Sequence, residues 1–217
     1  MSMGHVEPET SPFSPVQASV HVPDSRASVS SFADALITSR QNVSPKRLVE
    51  PGPNFLQLDQ IFRSAASAPD HGLVKPWRFV IVPQDKRALL AEVFAIALVD
   101  RDPGATLEQI EAAREKAYRA PMLMLVVAQL GVCEPPIPAM ERLVSVGAAV
   151  QNMLLMAHGQ GFGCSLTSGQ AMQSNRMRQL FDLKAGEEAI CFLNIGTASE
   201  RKTQRRHPEV TSFVSTL

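Results

Sequence analysis

From about residue 30 onward, the order of apolar and polar positions divides the chain into alternating helical and strand-like segments. Helices are predicted where apolar side chains recur every three to four positions, and buried strands where a short β-branched run is bounded by proline or glycine. The predicted helices run from a Ser30 or Ser31 cap to about Arg40, from an Asn54 cap to residue 66, and over 84–99, 107–118, 137–160 and 174–183, and the predicted strands cover 79–82, 122–128 and 188–196. This mixture predicts an α+β layered domain.

The N-terminal segment has a different composition from the rest of the chain. Residues 1–28 are rich in serine, proline and valine and show no sustained amphipathic period. A segment of this kind buries too little apolar surface to offset the entropy lost on ordering. We therefore expect a flexible N-terminal extension over 1–28, with a targeting or partner-binding role as the alternative, followed by one domain over 29–217.

Composition narrows the classes of function. The chain has 217 residues, 45% of them hydrophobic, with 21 basic and 21 acidic side chains. That length suits one domain with a substantial core. Balanced charge without a long basic run argues against binding to nucleic acid or to an anionic membrane. No apolar run approaches the ~20 residues that span a bilayer, and no signal segment is visible, so a cytoplasmic location is expected.

The spacing of cysteine and histidine argues against a metal site. Cys133, Cys164 and Cys191 are far apart in the sequence, and we expect reduced thiols, which are more often buried than reactive. The five histidines contain no pair at metal-ligand spacing on one helical face. No metal is therefore expected.

One loop carries the most specific pattern in the chain. The run APDHGLVKPWRF, from Ala68 to Phe79, leaves a predicted helix and enters a predicted strand. Taken alone, its Asp-His-Gly triplet is a polar turn and Trp77 is a core anchor. The whole run resembles the signature loop of the nitroreductase family, in which small and polar residues face a flavin and a Pro-Trp pair leads into the first central strand.

Two further segments carry the same resemblance. Arg40 ends the first predicted helix where the family has an arginine that grips the FMN phosphate, and a guanidinium suits this task because it donates paired, charge-assisted hydrogen bonds. Gln41 and Asn42 match that turn by position only, while Arg47 is either a substitute contact or merely exposed. The helix over 146–158 also resembles the family's long central helix. The glycines that follow it do not form a dinucleotide fingerprint, because they end a helix and do not follow a strand.

The segment after that helix departs from the family pattern. Leu166, Thr167 and Ser168 occupy the place where relatives put groups over the flavin ring, but Leu166 and Thr167 stand where relatives often have Trp and Arg. A different substrate preference is therefore expected. The basic residues that follow the last strand are either a second phosphate contact or a solvated tail; they are Arg201, Lys202, Arg205 and Arg206.

The resemblance extends over about 32–213 and implies a fold and a set of contacts. The fold is a three-layer α/β/α sandwich with a mixed, mainly antiparallel central sheet. It forms a homodimer with FMN in the interface, where the signature loop and the Arg40 turn come from one subunit and the 166–168 segment comes from the other. The implied FMN contacts are Arg40, Gln41, Asn42, Ser67, His71, Leu166, Thr167 and Ser168.

The reaction that the resemblance implies is performed by the cofactor. NADH or NADPH supplies hydride, an electron-poor small molecule such as a nitroaromatic or a quinone receives the electrons, and no catalytic side chain is implied. Two alternatives stay open. One is a non-catalytic protein for FMN storage or redox sensing, suggested by Gln41, Asn42 and the missing ring-stacking aromatic, and the other is a flavin-free ligand-binding protein.

Overall fold

The structure, a computed structural model, describes residues 26–200 and 206–217. The helices are α1 (Arg26–Ser39), α2 (Phe55–Ala66), α3 (Arg87–Arg101), α4 (Leu107–Glu115), α5 (Ala139–Gly159) and α6 (Asn175–Leu180), and the strands are β1 (Leu48–Val49), β2 (Trp77–Ile81), β3 (Met122–Gln129), β4 (Gly163–Thr167) and β5 (Glu187–Ala198). None of the described helices is long and apolar enough to cross a membrane.

Three elements differ from the sequence predictions. Helix α1 begins at Arg26, before the predicted serine cap, and none of its side chains is buried, so no apolar period marks its first turns. Strand β1 has only two residues, and β4 has the mixed sequence GCSLT, so neither shows a continuous apolar run. Of the expected flexible extension, residues 1–25 lie outside the described part of the chain, and the remainder belongs to α1.

The central strand of the sheet is β5, which is hydrogen-bonded to β1, β3 and β4, while β2 extends the sheet beyond β3. All of these pairs are antiparallel, so the mainly antiparallel sheet is confirmed. A parallel pairing occurs at an isolated bridge between Asn42 and Cys164, where the Val43 amide donates to the Cys164 carbonyl at 3.0 Å. This bridge holds the segment after α1 beside the start of β4.

The side chains of strand β3 are buried on both faces of the sheet. Its residues at 124, 126 and 128 pack in one core cluster with α2 and α5, whereas those at 123, 125 and 127 pack in a second cluster with α3 and α6. Successive side chains of a strand point to opposite faces, and a strand that is buried on both sides is apolar throughout. The three-layer α/β/α sandwich is therefore confirmed.

A buried arginine braces the second layer. The guanidinium of Arg87, which is 1% exposed, donates to the carbonyls of Val82 at 2.8 Å, Ala117 at 2.6 Å and Pro121 at 3.1 Å. Burial lowers the pKa of Arg87 from its ordinary value, and the three carbonyls compensate by accepting its hydrogen bonds. The arginine thereby fixes the turn between α4 and β3, including the backbone next to Lys116.

Candidate functional site

A cavity of about 520 Å³ lies between α3, α4 and the turn that follows β4. Its apolar lining includes Phe94, Leu98, Leu123 and Phe192. Phe94 and Phe192 meet edge to face, with ring centroids 5.7 Å apart. Thr167 and Ser168 add polar groups at one side. Apolar walls with a few convergent polar groups are typical of sites for small molecules and cofactors.

Charged side chains around this cavity are mostly basic. The charged lining residues are Arg101, Asp102, Lys116 and Arg119. Arg119 lies 4.0 Å from Glu115, whereas Arg101 and Lys116 make no ion pair within residues 26–200 and 206–217. The Asp102 carboxylate accepts a hydrogen bond from the Gly104 amide at 3.1 Å. The cavity is therefore biased towards an anionic ligand. These cations were not predicted from the sequence, because a basic residue near a helix end has the same local pattern whether it faces solvent or a cavity.

A buried amide positions the end of β4. Asn194, which is 2% exposed, donates through Nδ2 to Thr167 Oγ1 at 3.0 Å and to the Ser165 carbonyl at 3.3 Å. The Ser165 hydroxyl on the same strand is buried without a hydrogen-bond partner among the described residues. Leu166 is 42% exposed and does not line the cavity. The structure thus brings Thr167 and Ser168 into the cavity and leaves Leu166 outside it.

The Arg40 turn lies close to β4 of the same chain. Ser39 Oγ and His158 Nε2 are 2.8 Å apart, which ties the end of α1 to the last turn of α5. Partial burial, together with the charge of the nearby Arg40, lowers the pKa of His158. Burial raises the pKa of the Cys164 thiol to about 11, and Arg40 opposes this rise. Arg40 itself is half-buried. Pro45, at the end of this turn, lines the cavity beside Thr167.

The Arg40 turn and the start of β4 lie side by side within one chain. The bridge between Asn42 and Cys164 joins them, and Pro45 lines the same cavity as Thr167. The resemblance implies that this turn and the 166–168 segment reach one flavin from different subunits, and that division stays a prediction. Gln41 is half-buried and Asn42 is exposed in the same turn.

The signature loop lies elsewhere in the chain. His71 Nδ1 is 2.7 Å from Glu141 Oε2 near the start of α5, and both side chains are largely exposed. Ser67 caps the end of α2 and donates from its hydroxyl to the Arg63 carbonyl at 3.3 Å. Neither His71 nor Ser67 lines the cavity. Trp77, at the end of the loop, packs against the first core cluster.

The backbone of this loop is strained. Gly72, Leu73 and Lys75 all have positive φ, at 73°, 52° and 44°. Residues with a side chain rarely adopt this conformation, and such strain often accompanies a functional segment. Leu73 is also 83% exposed. The loop thus presents an apolar side chain and an imidazole to the outside of its own subunit.

The remaining residues that the sequence singled out lie in different parts of the chain. Arg47 forms an exposed ion pair with Glu200 at 3.5 Å, and its carbonyl accepts from the Ser199 amide at 2.9 Å. Arg201, Lys202 and Arg205 lie outside the described residues, and Arg206 is exposed. All three cysteines are free, and two of them are buried. In the part of the chain that the structure describes, no group of three His, Cys, Asp or Glu side chains could hold a metal ion.

Comparison with known proteins gives this geometry a context. The model of the nitroreductase family matches residues 49–197. A provisionally named NAD(P)H nitroreductase of Haemophilus influenzae is 33% identical over 77% of this chain and 90% of its own length. A provisionally named NAD(P)H nitroreductase, YdjA, of Escherichia coli K12 is 32% identical over 84% of this chain and 98% of its own length.

Solved structures agree in fold. A nitroreductase-like protein from Bacillus cereus superposes with a TM-score of 0.73 at 16% identity, covering 92% of this chain and 99% of its own. An iodotyrosine deiodinase bound to FMN and 3-iodo-L-tyrosine gives a TM-score of 0.62 at 21% identity, covering 84% and 98%. The family model covers most of the chain, and relatives above 30% identity align along nearly their whole length, so this chain belongs to the nitroreductase family.

Proposed function

We propose that this protein is an FMN-dependent oxidoreductase that works as a homodimer. The observation that carries the proposal is the cavity beside β4, which combines aromatic walls, basic lining side chains and a nearby arginine turn. The curated relatives are named as NAD(P)H nitroreductases, and one of the fold neighbours is described as bound to FMN.

The residues present suit FMN. The aromatic and aliphatic lining offers a surface for a flat ring system, while Thr167 and Ser168 offer hydrogen bonds. Arg40 has the chemistry of a phosphate ligand. We therefore assign Arg40, Gln41 and Asn42 to the phosphate and Thr167 and Ser168 to the ring.

When bound, FMN supplies the redox chemistry, taking hydride from NADH or NADPH and passing electrons to an electron-poor acceptor such as a nitroaromatic or a quinone. The chain itself binds, orients and shields. Phe94, Leu98 and Phe192 exclude water from one side of the cavity, and Asn194 holds the Thr167 hydroxyl in place. Lys116 and Arg101 favour the more negative form of any ligand that gains electrons there.

A second copy of the chain would complete the site. His71 and Ser67 lie outside the cavity of their own chain, so their proposed contacts with flavin require a neighbouring subunit. Helix α5 leaves Met140 and Val144 at 72% and 70% exposure, and α1 has no buried side chain. We assign these exposed apolar side chains of α5 to the proposed interface, because exposed apolar surface often marks the place where proteins meet. Phe213 and Val214 near the C-terminus are exposed as well.

The first experiment is the visible spectrum of the purified protein, followed by anaerobic addition of NADH or NADPH. We expect yellow, bound FMN that bleaches on addition of either donor and regains colour when a quinone is added. Bound flavin that stays oxidised would instead support storage or redox sensing, the alternative suggested by the missing aromatic at Leu166. A colourless protein that cannot be reconstituted with FMN would overturn the proposal.

A further inference from the structure

We propose that His158 is a positioning residue for the Arg40 turn, and that its contact with Ser39 controls how tightly the protein holds the phosphate of its flavin. The inference rests on the proposed function. It concerns a histidine that lies outside every segment assigned to FMN by the sequence.

Helix α1 lies on the surface of the protein. This helix has 14 residues, and none of them is buried. A methyl group built on Gly159 would lie 3.5 Å from Leu36 Cδ1, so Leu36 rests on the end of α5. At the last residue of the helix, Ser39 Oγ and His158 Nε2 form a polar contact at 2.8 Å. This contact holds the end of α1 directly before Arg40.

The Arg40 turn is also fixed at its other end. The Val43 amide donates to the Cys164 carbonyl at 3.0 Å, next to the bridge between Asn42 and Cys164. The two attachment points, His158 and Cys164, stand on either side of the tight turn that joins α5 to β4. Residues 40–42 therefore span two fixed points on one rigid corner.

The charge of Arg40 affects the protonation of His158. Partial burial and Arg40 both disfavour the protonated imidazole, so His158 is neutral near pH 7. A neutral ring can fix Ser39 without adding a second cation beside the guanidinium. His158 thereby orders the phosphate ligand without being a ligand itself, which is the usual way in which a supporting shell preorganises a site.

The test compares FMN with riboflavin, which has the same ring and lacks the phosphate. Dissociation constants of the apoprotein for both flavins are measured by quenching of flavin fluorescence. For His158→Ala we expect the FMN constant to rise about fivefold to tenfold, as the loss of one hydrogen bond predicts, and the riboflavin constant to stay within about twofold. Ser39→Ala should have the same effect, and the double variant should be no worse than either single one.

Two controls separate positioning from folding. His158→Gln keeps a polar nitrogen near Ser39 and should restore most of the preference for FMN. Thr38→Ala removes a neighbouring hydroxyl that donates only to the Asp34 carbonyl within α1, and should leave both constants unchanged. Circular dichroism of each variant checks that the fold is retained.

The outcomes are distinguishable. Equal weakening of FMN and riboflavin in His158→Ala, or unchanged binding of both, would overturn the inference while leaving the proposed function in place. A wild-type protein that binds neither flavin would overturn the proposed function and the inference together. A wild-type protein that binds both flavins equally well would show that Arg40 does not grip a phosphate.

Discussion

The Arg40 turn and the signature loop are both assigned to one cofactor, yet they are held in opposite ways. The Arg40 turn is fixed at Ser39 and Val43 to a single corner of its own chain, close to the cavity. The signature loop is exposed, strained at Leu73 and Lys75, and joined to α5 by a solvent-accessible pair. The Arg40 half of the proposed site is thus held in place by the fold of one chain.

The other half, the signature loop, supplies none of the side chains that line the cavity between α3, α4 and the turn after β4. His71 and Leu73 are presented outwards near the exposed apolar side chains of α5. Under the proposed function, this loop reaches a flavin through a second copy that docks against it. The comparison therefore predicts that damage to the cavity half acts through folding and chemistry, whereas damage to the loop half acts through assembly.

The largest expected effect is on the cavity half. Arg87→Met would leave the Val82, Ala117 and Pro121 carbonyls without their donor in a buried position. We expect the free energy of unfolding to fall by about 3 kcal/mol or more. Urea unfolding followed by circular dichroism measures this change. The matched control is Arg176→Met, which removes an exposed ion pair with Asp100 and should change stability little. Equal losses in the two variants would show that the buried network does not brace this layer.

The next effect should appear in assembly. Val144→Glu places a charge on the exposed apolar face of α5, and desolvating an unpaired charge in an interface is costly. We expect the dimer to dissociate at micromolar concentration and the FMN dissociation constant to rise at least about tenfold. Sedimentation velocity and flavin fluorescence give the two readouts.

The control for this variant is Leu89→Glu on α3, where the side chain is 52% exposed and does not line the cavity. It should keep both the dimer and the flavin. A monomeric Val144→Glu protein that binds FMN as tightly as the wild type would show that the signature loop of a second copy is not part of the site.

A smaller effect is expected at Lys116. This side chain lines the cavity and makes no ion pair with a described residue. Lys116→Gln removes a charge that favours the reduced, more negative ligand, so reduction by NADH should slow about fivefold, as expected for a solvent-screened charge. Anaerobic stopped-flow absorbance measures the rate. Lys86→Gln, outside the cavity lining, is the control and should reduce at the wild-type rate. An unchanged rate in Lys116→Gln would remove this cation from the mechanism.

The helices and strands could be predicted from the sequence more fully than the site. Strand β3 was predicted almost to the residue, because burial on both faces makes it continuously apolar. The Asn54 cap was also confirmed, since its capping box with Gln57 is a local pattern. Strand β4 was missed because glycine, cysteine and serine give it no strand-like period.

The site was harder to predict for a physical reason. Arg40 and the signature loop were assigned to the site only through resemblance to a family, and Lys116 was not predicted to line a cavity. Which segments share a cavity depends on long-range pairing, such as the bridge between Asn42 and Cys164. Nothing in the local pattern of either segment encodes that contact, and the division of the site between subunits stays a prediction.

The smallest expected effect is on the pH dependence of the free energy of unfolding. It tests the Arg40 turn, the half of the proposed site that is fixed within one chain. Burial and the charge of Arg40 lower the pKa of His158 in the folded chain, so the unfolded chain binds this proton more readily. Above the unfolded pKa of about 6.5, the neutral ring therefore makes its full contribution to the free energy of unfolding. This contribution is lost as the pH falls from there through the folded pKa. His158→Gln should flatten this part of the stability profile, measured by urea unfolding between neutral and mildly acidic pH. His207→Gln, on the exposed C-terminal segment, should keep the wild-type slope. A wild-type slope in His158→Gln as well would mean that the histidine is not held neutral against Arg40, and the fixed corner would then have to rest on Val43 and Cys164 alone.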